Sequence, residues 1–214
     1  MSADELAQRL RAANGSARLR AALDAGTSPD PEAVDLLVER CGVEPDFFVR
    51  DMLTWALTRL PADLTVPRLV EELSSPFPQA RSQALHTLSK IRDPRARPAL
   101  TPALLHDEED GVARAAWRAA AALTPVGERT ALAEDLASEL GRRNREAWRT
   151  LAEVLVTLGE AAREPLDRVA AGAPYSARVH ASATLLLLDG SARDFRSAVE
   201  EAQRSALVDD PPAD

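Results

Sequence analysis

In the stretch VRDMLTWALTRL, residues 49–60, the apolar positions Val49, Met52, Leu53, Ala56, Leu57 and Leu60 share one stripe of an α-helix. Asp46 offers an N-cap and Pro61 a stop, so the pattern predicts a helix over about residues 46–60. The pattern then returns. Arg50, Leu53, Leu57 and Leu60 are matched at the same offsets by Arg81, Ala84, Leu88 and Ile91. Arg114 with Trp117 and Ala121, Trp148 with Leu151, Leu155 and Leu158, and Arg178 with Ala181, Leu185 and Leu188 continue the series. Successive anchors lie 31, 33, 34 and 30 residues apart, and Arg18 precedes Arg50 by 32. A period of that length, with an amphipathic helix in each unit, predicts stacked helical hairpins.

Second amphipathic segments fall between the anchors, starting at Thr65, Pro94, Glu128, Ala161 and Ser191, each after a turn rich in Pro, Asp or Gly. An earlier pair is legible in SARLRAALDAG and DPEAVDLLVERC, with Asp30 as cap and Pro31 at the first helical position. The expected fold class is therefore all-α, a helical solenoid of about six helix pairs. It runs as a single solenoid over residues 1–206, with residues 2–14 as a capping helix and 207–214 as a flexible tail.

Composition supports helices: Ala and Leu dominate the 45% hydrophobic content, and aromatic residues make up only 4%. Cys41 is the only cysteine, which rules out an internal disulfide and a thiolate-rich metal cluster in one chain and fits a reducing compartment. The N-terminal stretch lacks the apolar run of a signal peptide, and no segment is long and apolar enough to span a bilayer. The expected location is cytoplasmic. A net charge of −8 weighs against broad attraction to nucleic acid.

The VR or AR pair opening the first helix, with Trp148 in place of the Arg in one unit, the small or apolar residue three on, the Leu seven on, and the turn and second helix in DPRARPAL resemble bacterial HEAT repeats, also called PBS-lyase HEAT-like repeats. The resemblance covers about residues 16–206 and is clearest over 46–123. It implies a right-handed α-α superhelix whose second helices line a concave face, and a task of binding another macromolecule rather than a reaction. The skew to 25 arginines and one lysine fits a GC-rich bacterial genome.

On that concave face, TVPRLVEELSS buries Val66, Leu69, Val70 and Leu73 and leaves Arg68, Glu71 and Glu72 outward. ERTALAEDLASEL in the same way buries Leu132, Ala133, Leu136 and Leu140 and exposes Glu134, Asp135 and Glu139. Carboxylates there would favour a partner protein with a basic surface. Phe48, Trp55 and Arg59 share a flank of their helix as a candidate aromatic patch. The anchor arginines read as structural, pairing with acids such as Asp51 or Asp110. The acidic run Asp107–Asp110 lacks the spacing of a calcium loop and reads as helix capping.

His86, His106 and His180 form no repeated ligand ladder, and the His-Glu pairs that hold iron in some enzymes with HEAT-like repeats do not occur. No phosphate-binding glycine loop and no nucleophile-elbow motif is present. The expectation is a monomeric, non-enzymatic protein-binding scaffold that needs no metal or cofactor and acts away from membranes. The alternative implied by resemblance is a HEAT-like nucleic-acid-binding or alkylpurine glycosylase-like repair protein. Such a protein would hold a nucleotide between aromatics, for which Trp55, Trp117 and Trp148 face three different ways. A lyase-like accessory protein acting on a chromophore-bearing client is a third class.

Overall fold

The computed structural model describes residues 2–209. Among the described residues the regular elements are all helices, stacked in pairs within each unit. The chain divides into two compact units, Met1–Leu123 and Thr124–Asp214.

The first unit contains α1 (Ala3–Leu10), α2 (Gly15–Thr27), α3 (Val34–Val43), α4 (Phe47–Thr58), α5 (Ala62–Glu72), α6 (Pro78–Ile91), α7 (Pro102–Leu105) and α8 (Asp110–Leu123). Helix α1 buries Leu6 and Leu10. The first helices of the pairs stack in a row, α2 on α4, α4 on α6 and α6 on α8, while α3 packs on α5 and α6. Leu37, Leu53, Leu57, Leu69, Leu85 and Leu88 fill the layer between them and are fully buried. Asp46 caps α4 by accepting from the Phe48 and Val49 N–H groups, which fixes the register that sends Val49 inward.

One second helix departs from expectation. The segment beginning at Pro94 forms a 3₁₀ stretch, Pro94–Ala99, followed by the single turn of α7. Pro98 and Pro102 each lack an N–H and clash with the preceding turn, so a continuous amphipathic helix cannot form there.

The second unit contains α9 (Arg129–Ala137), α10 (Arg145–Leu158), α11 (Arg163–Gly172), α12 (Tyr175–Leu188) and α13 (Phe195–Asp209). Helix α10 packs on α12, α9 on α11, and α12 on both α11 and α13. Val179, Ala183, Ala198, Val199 and Ala202 form a core of small residues that Trp148 and Phe195 flank. Of the segment 207–214 expected to be a tail, residues 207–209 belong to α13, and 210–214 lie outside the described residues.

Candidate functional site

The anchors explain the repeat. Arg18, Arg50, Arg81 and Trp148 each occupy the fourth position of their helix, α2, α4, α6 and α10. A helical Cα–Cβ bond tilts toward the N-terminus, so a long side chain there reaches back over the cap to the turn before it. Arg18 donates to the carbonyls of Ala12 and Ala13 at 2.9 and 3.0 Å, Arg50 to those of Glu44 and Pro45, both at 2.9 Å, and Arg81 to that of Ser75 at 2.9 Å. At Trp148 the indole N–H takes over the role, donating to the Arg142 carbonyl at 2.7 Å. The position selects a long side chain with a terminal N–H donor, which is why Trp can stand where the other units have Arg.

Two anchors also reach forward. Arg18 forms a two-pronged pair with Glu44 in the turn before α4, at 2.8 and 2.7 Å, and Arg81 pairs with Asp107 in the turn before α8 at 3.0 Å. The acids that meet Arg18 and Arg81 are thus Glu44 and Asp107, each in the turn before the first helix of the next pair. Asp107 also accepts from the Glu109 N–H, which closes the turn before α8. Gln79 adds a rung by donating to the Cys41 and Glu44 carbonyls at 3.2 and 2.9 Å. The N-terminal edge of the first unit is therefore a ladder of tied turns. Arg81→Ala should cost this unit roughly 2–3 kcal/mol, since it leaves a largely buried carboxylate without its cation. A thermal melt would read this as a fall of several degrees, and an unchanged melting temperature would contradict it.

Glu44 is the most connected side chain of the edge. Burial by itself would raise its carboxyl, but hydrogen bonds from Arg18, Arg40 and the Asp46 N–H hold it down at about 2. Cys41 is buried on α3, and burial pushes its thiol up to about 12, which leaves it inert as a nucleophile.

The same edge carries large apolar side chains that the core does not use. Val43 is 66% exposed, Phe47 64%, Phe48 71% and Phe77 66%. Phe47 and Phe48 meet edge to face with ring centres 5.6 Å apart. The Gln79 bridge, together with the packing of Gly42 against Ala80, sets the turn holding Val43 beside the start of α6. Among the candidate patch residues, Phe48 and Trp55 are exposed on α4, and Arg59 is exposed at its C-cap. Trp55 is partly committed, because its ring lies so close over Gly26 of α2 that a Cβ there would sit 2.2 Å from it.

The candidate acids fare unevenly. Glu71 is exposed, but Arg68 is already paired with Asp35 at 3.1 Å and with Glu72 at 2.8 Å, so Glu72 is half-buried and neutralised. In the second unit Glu134 is exposed with Arg168 3.7 Å away, and Asp135 is half-buried. Glu139 is the clear correction: it is 1% exposed and accepts from Arg142 at 3.2 Å and Arg143 at 2.7 Å. Helix α9 ends at Ala137, so the helical projection that placed Glu139 outward no longer applies there.

His180 is buried on α12 and stacks on Trp148 with ring centres 4.6 Å apart. Its Nδ1 accepts from the Gly141 N–H at 3.1 Å, so its Nε2 carries the proton and donates to the Trp148 carbonyl at 2.9 Å. Burial lowers the imidazole to about 4, with the Trp148 carbonyl pulling the other way. A folded value below the unfolded one means that the unfolded chain takes up the proton first. The stability from neutral His180 is therefore complete above about pH 6.5 and lost as pH falls toward 4, roughly 3 kcal/mol in all. Urea melts of the second unit at pH 7 and 4.5 should show this loss in the wild type and a smaller one in His180→Asn; equal losses would contradict the assignment.

Among the described residues no group of three or more His, Cys, Asp or Glu side chains could hold a metal ion, and no helix is long and apolar enough to cross a membrane. Trp117 is fully buried and donates to the Leu105 carbonyl at 2.8 Å, and Trp148 gives one ring face to His180.

Residues 66–152 match the family model of HEAT repeats. No curated protein matches the chain. The solved structures it resembles include an engineered protein, at 21% identity and a TM-score of 0.49 over 97% of this chain and 96% of that one. Another is the complex of CpcE and CpcF of phycocyanin lyase from Nostoc sp., at 20% and 0.49 over 100% and 90%. A third is human deoxyhypusine hydroxylase in complex with glycerol, at 20% and 0.47 over 98% and 90%.

Proposed function

We propose that this chain, a HEAT-repeat protein, is a non-enzymatic scaffold that holds a partner protein against the turn edge of its first unit. The observation that carries the reading is the exposure of Phe47, Phe48 and Phe77 along one edge, in a chain with only four phenylalanines. Leu and Ala build the core here, and three of the four phenylalanines sit outside it. The turns that carry them are fixed by the Arg18, Gln79 and Arg81 ties, so a partner would meet a preorganised surface and lose little entropy in ordering it. Covering each phenylalanine is worth roughly 1.5–3 kcal/mol, and aromatic anchors of this kind are the usual centres of binding energy. The single buried Cys41 fits work in a reducing compartment such as the cytoplasm.

The test is affinity capture from the native lysate with the wild type, a Phe47→Ser/Phe48→Ser variant and a Glu71→Lys variant. A protein retained by the wild type and Glu71→Lys but lost by the double variant supports the edge. Loss only in Glu71→Lys would return the interface to the second-helix face and a basic partner. Capture of nucleic acid in place of protein would overturn the scaffold reading.

A further inference from the structure

Beside Phe47 the first unit carries a cleft of about 240 Å³ between α4, α6 and α8. Its walls include Arg50, Arg114 and Arg118, with Asp51 as the one carboxylate among them, while burial holds the His86 imidazole toward its neutral form. In a chain of net charge −8 this is a local reversal of sign. Arg50 is fixed there by its bonds to the Glu44 and Pro45 carbonyls, while its Nε is buried without a hydrogen-bond partner among the described residues. Ser82 and Gln83 add polar side chains from α6.

We infer that the cleft takes a carboxylate side chain from an acidic segment of the partner protein, with the Phe47 and Phe48 rings covering an apolar neighbour of that residue. The inference rests on the scaffold reading and names the chemistry of what the scaffold holds. A guanidinium presents paired donors that match a carboxylate, and a cleft of this volume admits one or two side chains, not an element of a folded domain. A nucleic-acid strand asks for something else: positive charge repeated along a track and open aromatic faces for the bases. Here the arginines converge on one cleft rather than along a track.

The experiment measures fluorescence anisotropy with the full chain and three labelled probes: a peptide of about ten residues of Glu, Asp and Leu, its twin with every acid replaced by Lys, and a single-stranded oligothymidine, at low and physiological salt. The acidic peptide should bind in preference to both others and weaken with salt. Arg118→Gln and Ser82→Glu should each weaken it by about tenfold or more, while Glu71→Gln leaves it unchanged. Ser82→Glu places a negative charge in the cleft without removing an arginine, and melts of each variant separate lost binding from lost fold. No binding of the acidic peptide, equal binding of its Lys twin, indifference to both cleft variants, or preference for the oligothymidine would overturn the inference. If the Phe47→Ser/Phe48→Ser variant still loses a captured protein in that case, the cleft assignment alone fails and the scaffold stands; if it loses none, both fail.

Discussion

Glu44→Ala should destabilise the first unit by about 3 kcal/mol, more than any truncation of a single exposed side chain in the unit. The carboxylate is fully buried and accepts from Arg18, Arg40 and the Asp46 N–H at once. Removing it leaves two guanidinium groups facing each other without their counter-charge, and frees the turn that positions Phe47 and Phe48. The Arg18 and Arg40 side chains keep 10% and 18% of their own exposure, so water can recover part of the loss. That places the cost at the lower end of the range for broken buried pairs. Glu44→Gln, which keeps the shape and one good acceptor, should cost distinctly less. Denaturant melts of the two variants would settle the order; equal costs would mean that packing rather than charge holds the turn.

Gly141→Ala should be the most damaging change in the second unit, at roughly 3–6 kcal/mol. Two independent constraints meet at this residue. Its φ of +76° lies in the left-handed region, and a Cβ would sit 2.4 Å from the Ala177 backbone nitrogen, an atom that cannot rotate away. Any shift that relieves the clash pulls the Gly141 N–H from His180 Nδ1 and loosens the stack on Trp148. Hydrogen exchange should show α10 and α12 losing protection. Retained protection with an unchanged melting temperature would contradict the geometry.

The parts legible in the sequence were those that repeat. The period, the first-helix stripes, the Asp46 cap and the structural role of the anchors follow from side-chain spacing on a helix, and the match of residues 66–152 to HEAT repeats agrees with them. The misses have a common cause, since each depends on where the backbone leaves the helix. Glu139 sits past the end of α9, in a turn where Gly141 and Arg143 both take positive φ, so a helical projection gave it the wrong face. The segment at Pro94 kept an amphipathic pattern although its prolines exclude the helix that pattern implies. The tie between Gly141, Trp148 and His180 spans 39 residues and left one trace, a Trp at a position where the other units have Arg. Phe47 precedes the stripe of α4, and its part in the edge emerges only when Gln79 brings the start of α6 alongside.

The central claim, a partner held on the turn edge of the first unit, is tested most directly by hydrogen–deuterium exchange of the chain with and without its captured partner. The account predicts new protection over residues 43–51 and 77–86, with α5 and its Arg68, Glu71 and Glu72 unchanged. Protection confined to α5, with the aromatic edge still exchanging as in the free chain, would contradict it.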